Sequence, residues 1–185
     1  KRGEKQLQGL GKLEMKVFDR EDSVAAFLDI METVEKLSWK LDAGTAMTTS
    51  ERQKRLYGVV TPALAKCGCF LGAVLSLDER PLAFIYGYSF AGVFVDEKES
   101  YDEKYKEYGP GNVLKTRFLE ELVRRGIGTH DYAGREDPHK ARWTDQSYSR
   151  HVYIVYNNTF SARLVRMSLW AQKRWRDLRQ PKSAA

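Results

Sequence analysis

The segment of residues 101–125, YDEKYKEYGPGNVLKTRFLEELVRR, decides the fold prediction. A charged, aromatic stretch leads to Gly109-Pro110-Gly111, which stands directly before a predicted helix over 112–125. A helix N-terminus leaves main-chain N–H groups without partners and carries partial positive charge, and glycines let an anion come close to it. The segment therefore predicts a phosphate or pyrophosphate site, with an ordinary turn as the alternative.

Three helices are predicted from apolar residues at helical spacing. The first begins at the N-cap Ser23 and ends near Trp39-Lys40. The second begins with a capping box at 50–53, and a kink is expected at Pro62. The third covers 112–125. Their predicted buried positions are Val24, Phe27, Leu28, Met31 and Val34, then Leu56, Val59, Val60 and Leu64, then Val113, Leu114, Thr116, Phe118, Leu119 and Leu122.

Runs of β-forming residues predict the sheet. The predicted strands cover 69–77, 82–89, 93–95, 129–133 and 150–156. The first three form an antiparallel meander, because a turn at 78–81 and then Gly92 separate them. A short helix or turn over 138–145 and a final helix from the cap Ser161 to Leu178 complete the chain. This order predicts an α/β (α+β) fold, in which a mixed central sheet is flanked by helices.

Length and composition fit one globular domain. The chain has 185 residues, of which 42% are hydrophobic, and it contains no apolar run of about 18 residues that would span a membrane. Cys67 and Cys69 lack a second pair for zinc and are poorly spaced to bridge each other, so they predict reduced thiols in a cytoplasmic protein. Because the chain begins at Lys1, we expect it to be the C-terminal part of a longer protein.

The net charge of +6 favours anionic partners such as CoA, nucleic acid or acidic lipid. Much of the excess lies in residues 159–185, a predicted basic helix and tail that also carries Trp170 and Trp175. Such a helix either docks on the domain with its arginines in water, or contacts an anionic membrane surface or nucleic acid. We favour docking, with peripheral binding to the inner membrane face as the second interpretation.

Three blocks of sequence resemble the GNAT acetyltransferase domain of CelD/BcsL-type cellulose-biosynthesis proteins. They are Glu35-Lys36-Leu37-Ser38-Trp39-Lys40 with Gly44-Thr45, Tyr101-Asp102-x-x-Tyr105-x-x-Tyr108-Gly109-Pro110-Gly111, and Asp131-Tyr132-x-Gly134 followed by Lys140-x-x-Trp143. The blocks stand in the family's order and spacing. Gly109 departs from the family's usual serine, and His139 departs from its usual tyrosine. Fem-type transferases are more distant relatives of the same fold.

The resemblance implies the GNAT fold, whose sheet is splayed between two central strands to admit an acyl-CoA. It implies acetyl-CoA or another acyl-CoA as co-substrate and no metal. The acyl group would pass to an amine, of an amino sugar or polysaccharide precursor, by direct attack in a ternary complex. The residues implied to hold the pyrophosphate are Tyr108, Gly109, Pro110, Gly111, Asn112 and Val113.

The candidate catalytic residues are Asp131, Asp102 and Lys140. A carboxylate in a partly apolar cleft has a raised pKa and can act as a base, whereas the alternative for both aspartates is to cap a turn. Lys140 can neutralise a phosphate or a sugar carboxylate, or be an ordinary surface lysine. Substrate contacts are predicted for four residues, with core packing as the alternative for the aromatic ones: Trp39, Lys40, Tyr101 and Trp143.

Other chemistry has little support in the sequence. His130, His139 and His151 match no metal-ligand spacing, and no motif such as G-x-S-x-G supports a covalent nucleophile. Two other functions stay open. A Fem-like transferase would use aminoacyl-tRNA and a cell-wall precursor, and would bind tRNA in a salt-sensitive way. A degenerate, non-catalytic module would bind a partner and no acyl-CoA.

Overall fold

The computed structural model describes residues 2–134, 138, 140–149, 151 and 153–179. Its contacts divide the chain into two compact units, Lys1–Lys140 and Ala141–Ala185. In chain order, the first unit contains α1 (Arg2–Gln8), β1 (Leu13–Phe18), α2 (Val24–Lys36), α3 (Trp39–Asp42), α4 (Glu51–Lys66), β2 (Phe70–Leu77), β3 (Arg80–Phe90), β4 (Val93–Tyr101), α5 (Pro110–Arg124) and β5 (Thr129–Asp131).

The sheet has the strand order β1-β2-β3-β4-β5. The first four strands pair antiparallel with their neighbours, and β5 pairs parallel with β4. Asp78 and Glu79 adopt positive φ values of 47° and 68° in the tight turn between β2 and β3, where the sequence predicted a turn. The predicted mixed sheet with flanking helices is therefore confirmed.

Helices cover both faces of the sheet. One core joins α5 and α1 to the sheet, with Phe94 and Phe118 in edge contact at 5.0 Å between ring centroids. The other core joins α2 and α4 to the opposite face around Phe27. A Cβ at Gly72 would lie 2.6 Å from the Phe27 ring, so the glycine lets α2 approach β2 closely.

The first predicted helix ends earlier than expected. α2 stops at Lys36, and Ser38 then begins α3 by accepting a hydrogen bond from the Lys40 N–H at 3.3 Å. The polar cap competes with continuation of the helix, which explains the break. At the start of α2, Ser23 occupies the predicted N-cap position, but its hydroxyl donates to the Arg20 carbonyl and does not cap the helix.

The predicted buried face of α4 was wrong at three of its four positions, whereas the fourth, Leu64, is partly buried and packs against the core around Phe27. Leu56, Val59 and Val60 are 55%, 66% and 37% exposed, and the buried positions are Thr61 and Ala65. The predicted positions and the buried positions both recur at helical spacing, so periodicity alone could not choose between them. The structure buries the set that contains Thr61, whose hydroxyl contacts the Tyr86 hydroxyl. The helix also continues through Pro62, while Ser50 accepts from the Gln53 N–H as half of the predicted capping box.

α5 begins at Pro110 and not at 112, because proline at the first helical turn needs no N–H partner. Its predicted inner face is confirmed at Val113, Leu114, Phe118 and Leu122, whereas Thr116 is exposed and bonds back to the Asn112 carbonyl.

The second unit contains α6 (Phe160–Arg179). Its cap is Thr159, whose hydroxyl accepts from the Ala162 N–H at 3.3 Å, and not the predicted Ser161. The predicted strand over 150–156 is not formed at its described residues, 151 and 153–156, where Tyr153, Ile154 and Val155 are exposed and have no neighbouring strand to pair with. A 3-10 turn, Lys140–Arg142, stands within the predicted helix or turn 138–145. His139 and the end of the predicted basic tail, residues 180–185, lie outside the described residues.

Within the described part of the chain, we find no helix with the length and apolar character needed to cross a bilayer.

Candidate active site

β4 and β5 separate after a short pairing. β5 meets β4 only at Val93–Thr129, Phe94–His130 and Val95–Asp131, whereas β4 continues to Tyr101. The Asp102 N–H donates to the Leu82 carbonyl of β3, so by the alternation of an antiparallel ladder Glu99 directs its main-chain groups to the other edge. Residues 96–101 of β4 therefore border an opening in the sheet, and we refer to this edge as the open edge.

A β-bulge lies at the start of the open edge. Tyr86 of β3 pairs with Lys98 and the next residue, Gly87, pairs with Asp96, so Glu97 has no residue opposite it. A bulge shifts the alternation of side chains between the two faces of a strand. Lys98 accordingly contacts α2 and α4, while Asp96 and Glu99 contact groups on the α5 side.

The N-terminus of α5 follows the end of β4 after a short 3-10 helix. A 3-10 helix, Glu103–Tyr108, follows the strand, and Gly109 then adopts a left-handed φ of 61° as the N-cap of α5. Gly109 and Gly111 are partly exposed and Asn112 is exposed, whereas Pro110 is buried. The start of this 15-residue helix therefore presents its first N–H groups where an anion can approach them.

On the α2 side, a fully buried carboxylate organises two lysines. Glu35 accepts from the Met47 N–H, and its other oxygen lies 3.1 Å from Lys98 Nζ and 3.9 Å from Lys40 Nζ. Lys40 Nζ also donates to the Glu99 carbonyl at the open edge. Burial lowers the pKa of Lys40, and the positive charge of Lys98 lowers it further.

On the α5 side, charged and aromatic groups form a second cluster. His130 Nε2 lies 3.3 Å from Asp96 Oδ2, and the His130 ring stacks on Tyr132 with 4.2 Å between centroids. The buried Lys115 ammonium pairs with Glu99 at 2.8 Å and lies 4.9 Å from the centre of the Tyr132 ring. Burial, together with the charges of Asp96 and Glu99, raises the pKa of Tyr132 to about 12. The Tyr132 hydroxyl therefore keeps its proton at neutral pH.

Comparison with known proteins assigns the chain to a family. Residues 1–141 match the acetyltransferase (GNAT) domain family. The chain belongs to this family. It is thus a GNAT N-acetyltransferase domain, and enzymes of this family use acetyl-CoA as the acetyl donor. The CelD/BcsL subtype remains a prediction from the resemblance. No curated protein matches the chain.

Solved structures share the fold at low identity. A GCN5-related N-acetyltransferase from Ralstonia eutropha JMP134 is 18% identical with a TM-score of 0.56, over 78% of this chain and 99% of that chain. An aminoglycoside acetyltransferase from an uncultured soil metagenomic sample, in complex with sisomicin, is 15% identical with a TM-score of 0.51, over 80% and 96%. The PaiA N-acetyltransferase from Thermoplasma acidophilum, in complex with coenzyme A, is 13% identical with a TM-score of 0.50, over 70% and 86%.

Two of the candidate catalytic residues of this acetyltransferase domain come together. Asp131 is the last residue of β5, and its carboxylate accepts from the Ala133 N–H at 2.9 Å. Lys140 Nζ donates to the carbonyl of the same Ala133 at 2.7 Å. Asp131 therefore both caps a turn, as its alternative interpretation stated, and stands where β5 leaves β4.

Asp102 stands apart from that pair. It is buried, pairs with Arg80 at 2.8 Å and caps the 3-10 helix through the Lys104 N–H, which is the capping role named as its alternative. Tyr101 packs beside the start of α5, since a Cβ on Gly111 would lie 3.5 Å from its ring.

The residues predicted to contact the substrate also lie in different parts of the structure. Lys40 reaches the open edge, and its neighbour Trp39 is 48% exposed. Trp143 belongs to the second unit, and its substrate contact stays a prediction.

Sequence reasoning missed most of the two charged clusters. Lys98, Glu99 and Lys115 were not singled out, Glu35 was quoted only within a resembling block and without a role, and His130 was considered only as a metal ligand. The one local signal was the run Asp96-Glu97-Lys98-Glu99, because four charged residues inside a β-strand are unusual unless one side of the strand meets a polar site. Among the described residues, no group of three or more His, Cys, Asp and Glu side chains is placed to hold a metal ion.

Proposed function

We propose that this domain transfers an acetyl group from acetyl-CoA to the amine of an amino sugar or polysaccharide precursor, by direct attack in a ternary complex. The observation that carries the proposal is the opening between β4 and β5, which ends at the N-terminus of α5. An extended, amide-bearing arm can pair with a strand edge, and a pyrophosphate suits a helix N-terminus. The pantetheine arm would follow the open edge, and Tyr108 to Val113 would hold the pyrophosphate.

The charged groups at the opening suit amine acetylation. The attacking nitrogen must lose a proton, its lone pair then attacks the thioester carbon, and the C–S bond breaks to release a thiolate. Asp131 and Lys140 lie at the end of β5, and we propose that Asp131 holds the acceptor ammonium while Lys140 fixes the adjacent turn. The Tyr132 hydroxyl, protonated at neutral pH, is suited to give a proton to the departing thiolate.

The choice of acceptor rests on the groups near Lys40. The exposed Trp39 offers a flat apolar ring, which packs well on the C–H face of a sugar ring, and the Lys40 ammonium at the open edge can bind a hydroxyl or an anionic substituent. The fold also accommodates an acceptor of this kind elsewhere, since one of its structural neighbours is an aminoglycoside acetyltransferase.

Calorimetric titration with acetyl-CoA tests the pyrophosphate site. Gly109→Val should weaken acetyl-CoA binding at least tenfold, because a side chain would cover the helix N-terminus and disturb its left-handed cap. Gly126→Val is the matched control. Gly126 ends the same helix with a φ of 74° and has nothing within 4 Å of an added Cβ, so both variants carry a similar strain of about 1–3 kcal/mol. Equal affinities of the two variants would contradict the assignment of the loop.

A panel of acceptors then tests the reaction. Acetyl-CoA with glucosamine should release CoA thiol and yield N-acetylglucosamine. Salt-sensitive retention of tRNA without acetyl-CoA binding would instead support a Fem-like transferase. Binding of neither would support a non-catalytic module.

We also propose that α6 contacts an anionic membrane surface. Residues 160–179 contain six basic residues and one acidic residue, so this helix carries a net +5 of the chain's +6. Phe160, Met167 and Trp170 are 78%, 66% and 65% exposed. A helix of this composition suits the interface of an acidic bilayer.

A further inference from the structure

His130 has a buried nitrogen that the reaction outlined above leaves unexplained. Its side chain is 7% exposed, Nε2 lies 3.3 Å from Asp96 Oδ2, and Nδ1 has no hydrogen-bond partner among the described residues. A buried polar atom without a partner costs free energy, so its retention calls for a reason such as a ligand, a water or a chemical role.

The carboxylate of Asp96 fixes the tautomer of the ring. Asp96 is 5% exposed at its side chain, and because a carboxylate oxygen accepts hydrogen bonds, we assign the ring proton to Nε2, which donates it to Asp96. Nδ1 is then the unprotonated nitrogen, with a lone pair that can take up a proton. A carboxylate on one ring nitrogen also stabilises the imidazolium that forms when the other nitrogen is protonated.

The pair stands at the point where the sheet opens. His130 is the middle residue of β5, and Asp96 is the first residue of β4 beyond the last paired position. The two side chains come from different strands, so the distance between His130 and Asp96 depends on the short β4–β5 pairing. Tyr132 stacks on the ring from beyond β5, and Phe94 covers one side. Behind Tyr132, Lys115 of α5 lies over the tyrosine ring and pairs with Glu99 of β4.

We propose that His130 Nδ1 accepts the proton that the acceptor ammonium loses before attack, and that Asp96 is the positioning residue that keeps Nδ1 unprotonated. This proposal rests on the acetyl transfer proposed above. The proton passes from the ammonium through one water molecule to Nδ1, and the freed lone pair attacks the thioester carbon. As the C–S bond breaks, the Tyr132 hydroxyl gives its proton to the thiolate and takes up the second proton of the nitrogen, and the imidazolium later returns its proton to solvent.

The tautomer can be measured without any acceptor. Protein labelled with ¹⁵N-histidine should show His130 as the Nε2–H tautomer near pH 7 in long-range ¹H–¹⁵N spectra, and Asp96→Asn should give a mixture of tautomers. A ring with Nδ1–H in the wild-type protein would overturn the proposal, because that nitrogen would have no lone pair to offer. This outcome is independent of acetyl-CoA binding, which tests the proposed function separately.

Kinetics with two amines separate a chemical role from a structural one. His130→Ala should lower kcat with glucosamine, an ammonium at pH 7, by about 10²–10⁴-fold, the usual contribution of a general base. The loss should be less than about threefold with aniline, which is already neutral at that pH, and the Kd for acetyl-CoA should not change. His151→Ala, an exposed histidine of the second unit, is the control. Equal losses with both amines would assign His130 a packing role and refute the proposal.

Discussion

The buried carboxylate of Glu35 offers a quantitative test of how the α2 side of the site is held together. Glu35→Ala removes the partner of Lys98, which is 10% exposed at its side chain, and weakens the hold on Lys40, which is 16% exposed. It also removes the acceptor of the Met47 N–H. Breaking a buried ion pair on one side costs about 3–5 kcal/mol, because the remaining charge stays buried without compensation.

Urea unfolding at pH 7, extrapolated to water, measures this cost. We expect Glu35→Ala to lower the free energy of unfolding by about 3–5 kcal/mol, a large share of the roughly 5–15 kcal/mol typical of a domain. Glu21→Ala is the control. Its pair with Lys66 is more than half exposed at both side chains, so its loss should cost about 0–1 kcal/mol.

A double-mutant cycle identifies the source of the effect. Replacing Lys98 by methionine in the Glu35→Ala background removes the orphaned ammonium, and should restore part of the lost stability. A loss below about 1 kcal/mol for Glu35→Ala, or purely additive effects of the two substitutions, would refute the reasoning that a buried ion pair links α2 to β4.

Three further outcomes follow from the structure. Because the pKa of Tyr132 is raised to about 12 from an ordinary value near 10, the unfolded chain loses this proton first as pH rises, so the free energy of unfolding should fall between about pH 10 and 12, and Tyr132→Phe should reduce that slope in urea titrations. On α4, Val59→Lys should change stability by less than about 0.5 kcal/mol because Val59 is 66% exposed, whereas Met31→Ala in the core should cost about 2–5 kcal/mol; the reverse order would restore the buried face predicted from the sequence. Flotation with vesicles containing phosphatidylserine should capture the protein at low salt, Arg163→Glu with Arg166→Glu should abolish capture, and equal capture by neutral vesicles would contradict an electrostatic contact.

Much of the fold could be predicted from the sequence, because the patterns that mark its strands, turns and helix ends are local. The apolar run 69–77, the tight turn at Asp78 and the glycine before α5 each act within a few residues, and each was found where it was expected. The buried face of α4 was different, since two sets of residues fit the same period. Only the contacts of Tyr57 and Thr61 with Tyr86, a residue more than twenty positions away, select one of them.

The candidate site was predictable only in part, for a related reason. The start of α5 at Gly109-Pro110-Gly111 is a continuous stretch with its own backbone geometry, so it could be located from the sequence alone, and its binding of a pyrophosphate stays a prediction. The charged clusters draw single residues from α2, α3, β4, α5 and β5, and a lone Glu35 or Lys115 in a helix resembles any solvated charge. Only the packing of these elements shows that both side chains are buried.

The open edge of β4 also bears on aggregation. A strand edge that no neighbouring strand covers is a template on which a strand of another molecule can add, and charged side chains on natural sheet edges disfavour such addition. In this domain the charged run Asp96-Glu97-Lys98-Glu99 stands where β4 continues beyond its pairing with β5. Any redesign that replaces these residues with apolar ones to change substrate preference should therefore lead to self-association of the protein through this edge.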